Sequence, residues 1–117
     1  MPGPEDFRAY ARVFYPWLWT HYVERRSPEA RTVDAVVNTL LCDLRLAVWD
    51  ASGEYIFAKP MVIPAFVDRY PVAPFREHLM RIHDEYVLGE GGVSLALAEA
   101  TLRRTSAFVR AHVAWCR

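Results

Sequence analysis

The chain has 117 residues, and its 14 Lys and Arg residues balance its 14 Asp and Glu residues, so the formal net charge at pH 7 is zero. This balance provides no overall field that would draw the protein to nucleic acid or to an anionic membrane. The length fits a single domain over residues 1–117, with a frayed tail at residues 1–4. A hydrophobic content of 53% with 24% charged residues is typical of a globular protein and argues against long disorder.

The cysteine content and the N-terminus indicate the compartment. Cys42 and Cys116 are too few for a disulfide scaffold, so we expect a reducing environment. The first residues lack the basic start and apolar run of a signal peptide. No apolar run approaches the roughly 20 residues that span a bilayer. We therefore expect a soluble cytoplasmic protein.

The densest aromatic segment covers residues 7–22 and predicts a first helix. Wound at about 100° per residue, it places one face towards a core. That face consists of Phe7, Tyr10, Ala11, Phe14, Trp17, Leu18, His21 and Tyr22. Tyr15 and Trp19 fall on the other side, beside Arg8 and Arg12. Pro16 predicts a kink or a division into two helices, because its ring clashes with the preceding turn.

A second helix is predicted to start at residues 27–29, where a serine N-cap, a proline and an acidic residue follow each other. It runs to about residue 44, with Val33, Val36, Val37, Leu40 and Leu44 as its apolar stripe. Residues 46–59 then resemble two short apolar strands around a turn at residues 50–53, which predicts a β-hairpin. The alternative is that the helix runs on to residue 48. Asp43, Asp50 and Glu54 are interpreted as solvated charges around this hairpin.

Four prolines dominate the next segment, at positions 60, 64, 71 and 74. They predict an extended strap over the core, with one helical turn after Pro64. A third helix is predicted over residues 74–88, with Gly89 as its terminating residue. A fourth begins with Ser94 as its cap. It carries two apolar stripes. The first consists of Leu95, Ala98, Leu102, Val109, Val113 and Cys116, and the second of Leu97, Phe108, His112 and Trp115.

The predicted fold class is therefore α+β and mainly helical, with about four helices and one β-hairpin between helices 2 and 3. The alternative is an all-α bundle.

The residues that usually carry chemistry form no recognisable signature. His78 and His83 lie five residues apart, roughly 140° around a helix, so they do not form a metal-binding pair. Cys42 has no histidine near it in sequence that would activate its thiol. We predict no catalytic residues, no metal and no cofactor, which favours a protein that is not an enzyme without excluding one.

The surplus of large aromatic residues favours a protein-binding function. Tryptophan, tyrosine and arginine dominate the energetics of protein interfaces. The predicted partner-binding residues are Arg8, Arg12, Tyr15, Trp19, Trp49, Phe108 and Trp115. We expect a small regulator, adaptor or inhibitor that contacts another protein or a second copy of itself as a homodimer. The opposing interpretation is that the strap and hairpin bury these residues as ordinary core.

Two other functions remain open from the sequence. A small-molecule-binding protein or minor enzyme would have an aromatic pocket lined by His21, Tyr22, Tyr70, His78 and Tyr86. A nucleic-acid-binding regulator would use the arginines and Trp19 of the first helix to stack bases. The zero net charge and the absence of a known binding motif disfavour nucleic acid.

Overall fold

The computed structural model describes residues 32–70, 75–89 and 92–112. Within these ranges the chain forms four α-helices, and the third continues directly into a π-helical turn. They are α1 (Val33–Ser52), α2 (Lys59–Arg69), α3 (Arg76–Ile82) with the π-helical turn (His83–Val87), and α4 (Leu95–His112). The α1 helix packs against both α2 and α4, and α3 contacts the same two helices.

All four helices contribute to the apolar core. The α1 helix supplies Leu40, Leu41 and Leu44, α2 supplies Ile63 and Phe66, α3 supplies Leu79 and Ile82, and α4 supplies Val109, each with 0% exposure. Among the described ranges, no helix combines the length and the apolar character needed to cross a bilayer.

The predicted β-hairpin is wrong, and the α+β class with it. The described residues contain no strand, and all of their regular secondary structure is helical. Ala47 and Val48, predicted to lie in the first strand, continue the buried stripe of Leu40 and Leu44 at helical spacing. A short apolar run does not distinguish a strand from a buried helix by composition alone, and here the packing of α1 decides.

Caps fix both ends of α1. The Thr32 hydroxyl accepts a hydrogen bond from the Ala35 N–H at 3.1 Å and begins the helix. At the other end, Gly53 has a φ of 77° and donates its N–H to the Trp49 carbonyl at 2.8 Å. The turn-like segment before Gly53 is therefore the last turn of α1, and the glycine is its C-cap. The predicted helix start at residues 27–29 lies outside the described residues.

The predicted extended strap is also wrong, because residues 59–69 form α2. Pro60 lies in the first turn, where a missing N–H costs little. Pro64 lies inside the helix and removes one hydrogen bond, at a cost of about 3 kcal/mol. Ile63 and Phe66 are fully buried, and such side chains contribute about 1.5–3 kcal/mol each. Burial of the apolar face therefore offsets the proline.

The third predicted helix is confirmed over its described part, residues 76–87, although its last turn is wider than expected. The Leu88 N–H donates to the His83 carbonyl, five residues earlier, at 2.9 Å. The chain then leaves the helix at Gly89. A Cβ at this position would lie 2.7 Å from the Asp84 carbonyl oxygen, so only glycine fits there.

The start of α4 is confirmed, because the Ser94 hydroxyl accepts a hydrogen bond from the Leu97 N–H at 3.1 Å. Its buried face combines apolar and hydroxyl side chains: Ala98, Thr101, Leu102, Thr105, Ser106 and Val109. The predicted first stripe identified the apolar members of this face and missed the hydroxyl ones. Leu97 and Phe108, from the second stripe, are partly buried against the core.

Candidate functional site

Three large apolar side chains are exposed to solvent at one end of α2. Phe57 is 67% exposed, Met61 is 58% exposed and Leu88 is 60% exposed. Phe57 precedes α2, Met61 lies in its first turn, and Leu88 follows the π-helical turn. The Lys59 ammonium lies 5.7 Å from the centre of the Tyr86 ring, which places the start of α2 beside that turn. Phe57, Met61 and Leu88 are thus the exposed large apolar side chains of two elements that pack on each other, and we call them the Phe57 surface.

An arginine of α1 holds the backbone under this surface. The Arg45 Nε donates a hydrogen bond to the Ile56 carbonyl at 2.9 Å, and its Nη2 donates to the Phe57 carbonyl at 3.1 Å. The Tyr55 ring packs edge to face against the Phe57 ring, with centroids 4.5 Å apart. Residues 53–58 have no regular secondary structure, yet α1 fixes them at two successive carbonyls.

The charged residues around the Phe57 surface carry both signs. Residues 53–61 and 81–89 contain two cations and three carboxylates: Lys59, Arg81, Glu54, Asp84 and Glu85. Arg81 and Glu85 form an ion pair at 3.0 Å, with side chains 60% and 47% exposed. A border of mixed sign neither attracts a strongly charged partner nor repels an identical surface.

A second aromatic group lies at the opposite end of α2. It consists of Phe66, Tyr70, Phe75, Phe108 and His112, which join α2, the residue before α3, and α4. Ring centroids of Phe108 and His112 lie 3.9 Å apart with planes at 17°, and those of Tyr70 and Phe108 lie 5.2 Å apart. Burial raises the pKa of Tyr70. These rings pack on one another and tie the helices together.

The predicted partner-binding residues are only partly described. Trp49 is 8% exposed on α1, and Phe108 is half-buried in the aromatic group. Arg8, Arg12, Tyr15, Trp19 and Trp115 lie outside the described residues, so their role in binding stays a prediction. Sequence reasoning missed the Phe57 surface because residues 54–61 were divided between a strand and a strap.

The residues of the alternative pocket are only partly described, so this pocket stays a prediction. Tyr70 ends α2 in the aromatic group, whereas Tyr86 contacts Lys59 at the start of α2. The two ends of α2 are separated by the length of an 11-residue helix, about 16 Å. His78 is half-buried, and its Nδ1 has no hydrogen-bond partner among the described residues. His21 and Tyr22 lie outside them.

A buried polar pair joins α1 to α4. Asp43 is 2% exposed and Ser106 is 1% exposed, and the Ser106 hydroxyl donates a hydrogen bond to the Asp43 Oδ2. Burial raises the pKa of Asp43 to about 7, and the hydrogen bond from Ser106 opposes this rise. The interpretation of Asp43 as a solvated charge is wrong, because the face of α1 that carries it packs against α4 and the Ser106 hydroxyl binds it there.

The other buried hydroxyl groups of this region are satisfied within their own helices. Thr39 donates to the Ala35 carbonyl at 2.8 Å, Thr101 to the Leu97 carbonyl at 2.7 Å, and Thr105 to the Thr101 carbonyl at 2.8 Å. The Ser106 hydroxyl differs from these three because its acceptor belongs to another helix, 63 residues away in the chain.

The described residues contain no group of three or more His, Cys, Asp or Glu side chains that could hold a metal ion. His83 is buried, and its Nδ1 has no hydrogen-bond partner within the described ranges. Comparisons with protein family models, with curated proteins and with solved structures find no match.

Proposed function

We propose that this chain is a small non-enzymatic protein-binding domain, of the regulator, adaptor or inhibitor type, and that its partner docks on the Phe57 surface. Single exposed apolar residues are normal on a protein, but grouped ones are typical of interaction sites. The observation that carries the proposal is the exposed Phe57 on a backbone that Arg45 holds at two carbonyls.

The Arg45 contacts matter because they reduce the cost of binding. A loop that must become ordered on association loses conformational entropy, which subtracts from affinity. Residues 56 and 57 are already held by α1. An aromatic side chain with few rotatable bonds, presented from a fixed backbone, is the usual form of an interface hot spot.

The partner that these features favour is a second copy of the chain. In a twofold dimer the same surface meets itself, so apolar residues face apolar residues and the bordering charges must tolerate their own copies. The border of Lys59, Glu54 and Asp84 carries both signs and meets this requirement. The zero net charge of the chain also minimises repulsion between copies. A cytoplasmic location stays part of this proposal, and the free thiol of Cys42 suits a reducing compartment.

The test is the assembly state of the full chain, measured by analytical ultracentrifugation over a range of concentrations. The variant Phe57→Ser with Leu88→Ser removes two exposed apolar side chains without touching the core. Truncating interface hot spots costs about 2 kcal/mol or more, so dimerisation should weaken by at least about 30-fold.

The matched control is Ala107→Ser, an exposed position on α4 at which the dimerisation constant should stay unchanged. Two outcomes contradict the proposal of a second copy. One is a wild-type chain that stays monomeric at millimolar concentration. The other is a dimer that the double variant leaves intact.

A further inference from the structure

We infer that Asp43 and Ser106 form a pH-dependent latch, which keeps α4 docked on α1 while Asp43 is neutral and loosens that contact when Asp43 ionises. The inference is independent of the Phe57 surface, because the two residues lie inside the helical core. It rests first on their geometry. A carboxyl group with 2% exposure accepts a hydrogen bond from a hydroxyl with 1% exposure on the facing helix.

The surroundings of Asp43 on α1 offer no compensating cation among the described residues. Arg45 is the neighbouring cation on this helix, and two of its nitrogen atoms donate to the Ile56 and Phe57 carbonyls. Cys42 is the neighbouring titratable group. The pKa of its thiol is raised mainly by burial, with a smaller contribution from the negative charge of Asp43.

The two helices that pack against α1 also leave this carboxyl without a charged neighbour. The buried face of α4 carries hydroxyl and apolar groups, and its Arg103, Arg104 and Arg110 side chains are exposed. The half-buried Glu99, two turns before Ser106, forms an ion pair with Arg103 at 3.7 Å. The buried residues of α2 are Val62, Ile63, Phe66 and Val67, none of which titrates. Within the described part of the chain, an ionised Asp43 would therefore be a buried charge supported by the Ser106 hydroxyl, and buried charges without a counterion are strongly unfavourable.

The sign of the pH effect follows from the two protonation states. The pKa of Asp43 is about 7 in the folded protein, against 3.8 for an ordinary aspartate. Below pH 3.8 both the folded and the unfolded chain hold the proton. As the pH rises from 3.8 to about 7, the unfolded chain ionises first, so the free energy of unfolding falls. Above pH 7 the folded chain also carries the charge, and the contact between α1 and α4 is at its weakest.

The experiment is amide hydrogen exchange of the full chain between pH 5.5 and 8.5, read for α4 and for α2 and corrected for the intrinsic effect of pH. In the wild type, protection of α4 should fall by up to about tenfold per pH unit between pH 5.5 and 7, because Asp43 ionises in the opened state and not in the docked one, and it should level off above pH 7. The protection of α2 should change less. The variant Asp43→Asn keeps the shape and the acceptor but does not ionise, so its α4 protection should be independent of pH.

Two further variants complete the test. Asp50→Asn changes an exposed carboxyl of the same helix and should leave the wild-type pH dependence intact. Ser106→Ala removes the hydrogen bond that lowers the pKa of Asp43, so the transition at which α4 protection levels off should move to higher pH. Ser106→Ala also serves as the test if Asp43→Asn does not fold. The latch is refuted if Asp43→Asn retains the wild-type pH dependence, or if Ser106→Ala leaves the transition unmoved or shifts it to lower pH.

Discussion

Two regions of the molecule depart from ordinary protein architecture in opposite directions. One is the contact between α1 and α4, and the other is the end of α2 beside the π-helical turn. The first places a carboxyl and four hydroxyl groups in the interior, and the second leaves three large apolar side chains in solvent. A buried carboxyl makes a helix contact sensitive to protonation, whereas an exposed apolar group makes a surface ready to associate. The two regions are therefore suited to different tasks.

The α1 helix serves both regions from opposite sides. Asp43 and Arg45 are two residues apart, which is about 200° around a helix. Asp43 faces the buried side of α4, and Arg45 reaches the carbonyls of residues 56 and 57. A single rigid helix thus positions a buried acid and an exposed aromatic without linking their chemistry.

The largest expected effect separates a buried ring from an exposed one. Phe66→Ala should destabilise the protein by about 3–5 kcal/mol, because the ring is fully buried and its loss leaves a cavity between α2 and α4. Phe57→Ala makes the same chemical change at an exposed position and should cost no more than about 0.5 kcal/mol. Urea unfolding of both variants at low protein concentration measures the difference. Equal losses would mean that Phe57 is a core residue and not a free surface.

A smaller effect is expected at Arg45, whose contacts hold the Phe57 surface without being part of it. Arg45→Gln loses the fork that binds two carbonyls, so dimerisation should weaken by about tenfold, or about 1.4 kcal/mol. Sedimentation at several concentrations reports this change. Arg69→Gln, an exposed arginine at the end of α2, is the control. If both variants dimerise like the wild type, the fixed backbone contributes nothing to association.

The smallest effect is expected where α1 ends. Gly53→Ala places a side chain at a φ of 77°, with no atom within 4 Å of the new Cβ, so the cost is conformational alone and about 1 kcal/mol. Thermal unfolding gives the value. Gly53→Asn should cost less than Gly53→Ala, because asparagine tolerates the left-handed conformation better. The reverse order would show that Gly53 does not hold this conformation in solution.

Much of the helical pattern is accessible from the sequence because it depends on local rules. The spacing of Val36, Leu40 and Leu44 identifies the core face of α1, and Ser94 marks the start of α4. The same rules fail where tertiary packing decides. Trp49 belongs to a short apolar run that fits a strand or a helix, and Pro64 lies inside a helix that its burial sustains.

The candidate site was harder to predict than the fold. Phe57 lies between the end of α1 and the start of α2, whereas the hairpin hypothesis placed it in a strand. The buried Asp43 carboxyl has its hydrogen-bond partner 63 residues away in the chain, and no local sequence pattern identifies such a partner. Trp49, one of the predicted partner-binding residues, is buried on the inner side of α1. Composition indicated an excess of rings, but only the packing distinguishes the rings that face solvent.

The wide turn at residues 83–87 has a consequence for how this surface is encoded. A π-helical turn holds one residue more than the α-helical turn that it replaces, which changes the register of everything after it by about 100°. Both Ile82 and His83 face inward, and Leu88 leaves the helix at an azimuth that a regular helix of the same residues would not give it. The side chains make this surface apolar, but their alignment depends on a single inserted residue.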